Sequence, residues 1–379
     1  MTSSDGQAHI LCVVGARPNF MKIAPLIRAI RAPGSGLSAS LLHTGQHYDA
    51  AMKHSFFEQL NIPAPDVDLG VGSGTHAQQT AQIMQRFEPV LDEQQPSAVL
   101  VVGDVNSTIA CALVAVKKHI PVIHVEAGLR SGDRSMPEEI NRILTDQISE
   151  LLFTTEASAA ENLLREGVDE RRIVLAGNVM IDTLLYNLRD AIPAQETLAG
   201  AADAGVVERY GMLTLHRPSN VDDPAVLRRV LEAVVEVSRE TPLVFPVHPR
   251  TGARIEAAGL GDLLASGRIV TMPPQGYLEM LGLMRDAAMV LTDSGGIQEE
   301  TTALGVPCIT LRDNTERPVT VSEGTNTIVG SQPDAIHAAV AAILRGEGKA
   351  GRRPALWDGR AAERIATEIA ARFSVRRAA

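Results

Sequence analysis

Short apolar runs alternate with amphipathic ones along the whole chain. In the first half, runs of Val, Ile and Leu predict strands at residues 10–14, 39–43, 98–102, 122–125, 151–154 and 173–175. The stretches between them predict helices near 20–31, 48–60, 77–91, 107–118, 137–149 and 157–166. Strands that are apolar throughout belong to a parallel sheet covered by helices on both faces. From Pro193 to Gly205 the chain is rich in Ala, Gly and polar residues and carries little pattern, as expected of a loop near a domain boundary. The alternation resumes with strands at 212–215, 243–247, 268–271, 289–292 and 308–311, again separated by helices. Residues 348–357 interrupt the last helix, and 361–373 predict a closing one. The expected fold is α/β, with two Rossmann-like doubly wound domains facing a cleft. Their expected bounds are 1–190 and 191–358, with a closing segment at 359–379. In such sheets ligands sit at the C-terminal ends of strands, so those ends are where chemistry is sought.

Composition narrows the partners. At 379 residues the chain exceeds the ~250–300 at which single cores divide, in keeping with two domains. Aromatics make up 3%, too few for base-stacking platforms, and the net charge of −10 argues against a broad nucleic-acid surface. A small anion remains compatible, since it needs only a few local donors. Cys12, Cys111 and Cys308 lie in apolar runs with no metal-binding spacing and read as buried small hydrophobes of a reducing compartment. No signal-peptide pattern and no span of ~20 apolar residues is present, so a cytoplasmic protein without membrane contact is expected.

The most informative strand end is Asp293-Ser294-Gly295-Gly296-Ile297-Gln298-Glu299-Glu300. Two glycines let a ligand approach the backbone where a helix begins, and the helix N–H groups and dipole favour phosphate there. Glu300, about a turn and a half on, is placed to accept hydrogen bonds from a ribose diol. The bland reading is a side-chain N-cap by Ser294. After the first strand, Arg17 and Lys22 can face an anion, although Gly15-Ala16-Arg17 is not the dinucleotide fingerprint and NAD is disfavoured. Asp104 and Glu126 end two strands expected to be neighbours, and an unpaired charge at the end of a buried strand is costly without a partner or a chemical role. Glu138 follows Ser135 in capping-box spacing and stands four residues before Arg142, so alone it reads as structural. In the second half His216, Arg217 and Arg250 occupy strand ends, and a protonatable imidazole beside a diphosphate can stabilise leaving-group charge. Three carboxylates near an anion bind poorly but serve well as acid and base groups on a sugar. They also suit magnesium, but Arg and His already serve the diphosphate, and no metal is expected.

The stretches GARPNFMKIAP, TGQH, VVGDVNST, HVEAGLRSGD, MPEEINR, TLHRPSN and LTDSGGIQEE occur in order over residues 15–300. Together they resemble the non-hydrolysing UDP-N-acetylglucosamine 2-epimerases. The resemblance implies a GT-B-like fold whose C-terminal helix crosses back to the first domain, a homodimer, and no cofactor. It implies epimerisation at C2 of UDP-N-acetylglucosamine or a close UDP-2-acetamido sugar, by anti elimination of UDP and re-addition through 2-acetamidoglucal. By motif, Asp104, Glu126, Glu138 and His216 are similar to the catalytic groups. Arg17, Lys22, Arg142, Arg250, Tyr277, Ser294, Gly295, Gly296 and Glu300 fall to the substrate.

Two departures, Asn19-Phe20-Met21 and Pro218-Ser219-Asn220, stand where well-known bacterial enzymes differ, and raise a 3-acetamido or uronic sugar as the substrate. Gln46 and His47 match a site at which a second substrate molecule activates some relatives. Tyr48 and Asp49 follow, and no Arg lies between Arg31 and Arg86, so weak or absent activation is expected. Competing readings are a hydrolysing 2-epimerase releasing N-acetylmannosamine and UDP, a GT-B glycosyltransferase, and a non-enzymatic nucleotide-sugar sensor.

Overall fold

The computed structural model describes residues 7–45, 59–60, 62–199 and 208–374, which divide into two units. Unit 1 comprises Met1–Tyr186 and Ala355–Ala379, and unit 2 comprises Asn187–Pro354. Gln46, His47, Tyr48 and Asp49, and nearly all of the helix expected at 48–60, lie outside the described residues.

Unit 1 holds a seven-stranded sheet formed by β1 (Ala8–Val14), β2 (Leu37–His43), β3 (Val67–Asp68), β4 (Ala98–Val102), β5 (Val122–Ala127), β6 (Leu151–Thr154) and β7 (Ile173–Leu175). The order is β3-β2-β1-β4-β5-β6-β7, and every pair is parallel. The helices Arg17–Ile30, His76–Gln94, Asn106–Lys117, Pro137–Ile148 and Ala157–Arg165 connect successive strands. Their apolar faces supply Ile83, Phe87, Leu91, Ala110 and Val114, which pack against Leu11, Val13, Val99 and Val101 of the strands. Because the strands are covered on both faces, most of their positions are apolar, with His9, Ser38, Ser40 and His124 as polar exceptions ahead of the C-terminal ends.

The helix Ala361–Phe373 belongs to this unit and buries Ile365, Ile369 and Phe373. Its start is held by Asp182, whose two carboxylate oxygens accept the N–H groups of Ala361 and Ala362 at 3.1 and 2.7 Å. Burial outweighs those two hydrogen bonds and pushes the Asp182 carboxyl up to about 6. Just before it, the buried Trp357 donates its indole N–H to the Thr155 carbonyl at 3.1 Å.

Unit 2 repeats the winding with β8 (Gly211–Thr214), β9 (Leu243–Pro246), β10 (Ile269–Met272), β11 (Met289–Thr292), β12 (Cys308–Thr310) and β13 (Asn326–Ile328). The order is β10-β9-β8-β11-β12-β13, also parallel throughout. Leu227, Val230, Leu231 and Val234 of the helix Pro224–Glu240 pack on Leu213, Phe245 and Leu291. In unit 1 the winding reverses between β1 and β4, and in unit 2 between β8 and β11. A doubly wound sheet offers its ligand crevice at that reversal.

Three expectations need correction. The segment after Pro193 is not all loop, because Ala194–Leu198 forms a short helix. β3 and β13 did not show in the pattern, being only two and three residues long. The helix Val179–Asn187 was also missed, since its sequence is apolar nearly all round and gives no face to recognise. All three cysteines are buried, and burial pushes the thiols of Cys12 and Cys308 up to about 12 and about 11.

Candidate active site

Asp104 stands at the reversal point of the unit 1 sheet, and Glu126 one strand beyond it. β4 ends at Val102, and Gly103 then turns at φ +66° before Asp104. That left-handed turn is what glycine is needed for, and a Cβ there would also press on Lys22 Nζ at 2.8 Å. The buried His124 fixes that turn, with Nε2 2.8 Å from the Gly103 carbonyl and Nδ1 2.7 Å from Asp146. Asp104 is held from the helix Pro137–Ile148. Its carboxylate pairs with Arg142 at 2.8 Å, and its carbonyl accepts from Asn141 Nδ2 at 2.9 Å.

Glu126 lies one strand over and has left-handed backbone at φ +71°. The β5–β6 register shifts at the same place, between Val125 and Ala127. A bulge re-aims a side chain that the regular pleat would direct elsewhere. Left-handed backbone costs a non-glycine residue about 1–3 kcal/mol, and such strain collects at functional sites. The Glu126 carboxylate is 5% exposed and forms an ion pair with Lys22, itself buried. The paired strands β4 and β5 thus bring Asp104 and Glu126 to one edge, with Lys22 and Arg142 as their cations.

Glu138 differs from the sequence reading. The helix N-cap is Met136 without a side-chain cap, and the Ser135 hydroxyl turns back to Asp133 at 2.6 Å. The capping box does not form, because the chain enters the helix one residue later than the spacing implied. Arg142 pairs with Glu139 and Asp104 rather than with Glu138. Glu138 is half-buried and makes no side-chain hydrogen bond or ion pair among the described residues. Arg17 opens its helix, but its side chain lies outside the described residues.

Unit 2 gathers its polar groups at β8 and β11. Ser294 is the N-cap of the helix Gly295–Leu304, yet its side chain makes no cap hydrogen bond, so the side-chain cap reading fails. Glu300 is buried, and burial pushes its carboxyl up to about 8 against the opposing hydrogen bond from the Tyr277 hydroxyl at 3.1 Å. Tyr277 is itself only 4% exposed. His216 is about one-third exposed, with Nδ1 2.9 Å from Asp293. Arg250 is committed to Asp222 at 3.1 Å on the protein surface. Gly296 lies with Gly295 in the first turn of the helix.

From the sequence Glu316 is one of the polar groups after the last strand, with Arg312 and Arg317, and has no assigned role. Its carboxylate pairs with Arg312 at 2.9 Å and Arg217 at 3.3 Å, and a Cβ at Gly295 would stand 2.8 Å from it. Burial raises its carboxyl, but Arg317, Arg312 and Arg217 together hold it well below the usual carboxylate range. Its only signal was the polar run after the last strong strand. Asn19 and Asn220, one from each of the two departures, are both buried. Asn19 donates to the Val102 carbonyl at 2.9 Å, and Asn220 donates to the Leu311 carbonyl at 2.8 Å. Among the described residues no group of three or more His, Cys, Asp or Glu side chains is arranged to hold a metal ion. No helix of the described residues is long and apolar enough to cross a membrane.

Tandem doubly wound units, one edged with acids and one with a glycine-opened helix, place the chain among two-domain α/β enzymes of the GT-B type. A profile of the family described as UDP-N-acetylglucosamine 2-epimerase matches residues 30–370. The UDP-N-acetylglucosamine 2-epimerase of Methanocaldococcus jannaschii is 44% identical, covering 90% of this chain and 96% of its own. The UDP-2,3-diacetamido-2,3-dideoxy-D-glucuronate 2-epimerase of Pseudomonas aeruginosa is 43% identical, covering 86% of this chain and 90% of its own. The crystal structure of the M. jannaschii enzyme in complex with UDP-GlcNAc and UDP matches with a TM-score of 0.87 at 42% identity, over 95% of this chain and 99% of that one. This chain belongs to the UDP-N-acetylglucosamine 2-epimerase family.

Proposed function

We propose that the protein interconverts UDP-N-acetylglucosamine and its manno epimer without hydrolysis, by eliminating UDP across C1–C2 and adding it back. The chemistry requires a detour, because no carbonyl at C1 or C3 acidifies the C2 proton. Elimination removes that proton while the diphosphate leaves C1 with the bonding electrons, giving bound 2-acetamidoglucal and UDP. Re-addition then protonates C2 from the opposite face. Asp104, Glu126 and Glu138 serve as the acid–base carboxylates. His216 stabilises the departing diphosphate, and Ser294, Gly295, Gly296 and Glu300 hold UDP. Arg17, Lys22 and Arg142 complete the substrate set, with Tyr277 supporting Glu300. Arg250 joins them only if it leaves Asp222.

The observation that carries the reading is Glu126, a buried carboxylate on strained, bulged backbone with Lys22 as counter-ion. A sensor would gain nothing from that cost. Of the two departures that raised a modified sugar, Asn19 and Asn220 serve the fold, which leaves Phe20, Met21, Pro218 and Ser219 to carry that alternative. The Pseudomonas relative keeps a diacetamido uronate in view by similarity, so both nucleotide sugars belong in the test. Incubation with each, followed by product analysis, is expected to give an equilibrium of UDP-linked epimers. Stoichiometric free N-acetylmannosamine would mean the hydrolysing reaction, and no turnover of either sugar would leave a sensor. A homodimer is part of the proposal, in keeping with Leu144, which is half exposed on the helix Pro137–Ile148. Sedimentation as a monomer at micromolar concentration would remove it.

A further inference from the structure

The functional reading gives Asp293 no role, yet no other carboxylate described here is so fully engaged beside His216. It is completely buried at the end of β11, directly before the Ser294-Gly295-Gly296 turn. One oxygen lies 2.9 Å from His216 Nδ1. The backbone N–H of His216 reaches both oxygens at 3.1 and 3.0 Å, that of Arg217 reaches one at 2.9 Å, and Asn220 Nδ2 adds another contact at 3.2 Å. A carboxylate with four donors around it has a fixed position. Burial raises its carboxyl, but the bond and charge of His216 and the two N–H groups outweigh that and hold it below the ordinary range.

A carboxylate with no proton to give can only accept from Nδ1, so Nδ1 must carry the hydrogen. Nε2 is then the ring nitrogen left for chemistry. We propose that Asp293 is a positioning residue of the epimerisation. It fixes the ring orientation and tautomer of His216, and it ties that ring to the loop that opens the UDP-binding helix. His216 thereby presents Nε2, carrying the ring's second proton, to the diphosphate as the C1–O bond breaks, with Asp293 as counter-ion of the charged ring. This inference rests on the reading of His216 as the group that assists UDP departure.

A double-mutant cycle tests it. His216→Asn and Asp293→Asn are each expected to lower kcat by roughly 10²–10³, within the usual contribution of a positioned acid or base. In the His216→Asn background, Asp293→Asn should cost almost nothing further, because its effect passes through the imidazole. Equal losses in both backgrounds would overturn the positioning role while leaving His216 in place. An undiminished kcat for His216→Asn would instead remove the role of His216, and the inference with it. Imidazole ¹⁵N NMR of the intact wild type, with the His216 signal identified by its loss in His216→Asn, gives a reading independent of whether Asp293→Asn folds. A protonated Nδ1 is expected, and a neutral ring protonated only at Nε2 would overturn the proposal.

Discussion

Glu300 makes a sharp prediction about pH. Its carboxyl is buried behind the glycine turn and titrates at about 8 instead of 4.5. To accept two ribose hydroxyls it must be ionised, yet one pH unit below its own value only about one molecule in ten is. Affinity falls by the fraction of protein that is competent, so UDP should bind about tenfold more weakly at pH 7 than at pH 9. Binding near pH 7 should also release close to one proton. Isothermal titration calorimetry between pH 7 and 9, in buffers of different ionisation enthalpy, reads both quantities. The range keeps the terminal phosphate of UDP itself ionised, since its second pKa lies near 6. The same shift affects stability. Because the folded-state value is raised, the contribution of Glu300 is whole below pH 4.5 and is lost as pH rises through about 8. The ceiling on that loss is roughly 5 kcal/mol. Glu300→Gln should therefore melt higher than the wild type at pH 9 while binding UDP with no pH dependence in this window. A flat wild-type affinity without proton release would refute the reasoning, for Glu300 would then meet the ribose as a neutral acid.

Asp104→Asn, Glu126→Gln and Glu138→Gln should each lower turnover by roughly 10²–10⁴ with little change in UDP affinity, checked by steady-state kinetics and calorimetry. Since Glu138 caps no helix, Glu138→Gln should keep the wild-type melting temperature, and a clear fall would restore a structural role. Asp182→Ala should destabilise unit 1 by about 1–2 kcal/mol, as loss of a helix cap does. Hydrogen exchange should then rise first in the closing helix Ala361–Phe373, and unchanged protection there would contradict the capping assignment.

Strand placement was legible because buried parallel strands are written as apolar runs, and Asp104 and Glu126 were legible as the polar residues that end them. What could not be read was backbone geometry. Nothing in Val125-Glu126-Ala127 announces a bulge or a left-handed glutamate, because both arise from how β5 meets β6. Ser135 and Glu138 had the spacing of a capping box, but the chain entered its helix at Met136, and a one-residue shift was enough to free Glu138. Within the two departures from well-known relatives, Asn19 and Asn220 each satisfy a carbonyl at a strand end, which a comparison of residue types could not show. Asp293 and Glu316 could be given no role from the sequence, because each meets Arg217, 76 and 99 residues away, beyond the reach of any local pattern; only the Arg312–Glu316 pair, four residues apart, was within it.

The central claim is that the C2 proton is lost and regained while UDP leaves and returns. Proton NMR of UDP-N-acetylglucosamine incubated with the enzyme in D₂O tests it directly. The account predicts that the manno epimer forms with deuterium at C2, and that prolonged incubation releases some UDP with 2-acetamidoglucal. Epimerisation with the original C2 hydrogen fully retained would contradict it.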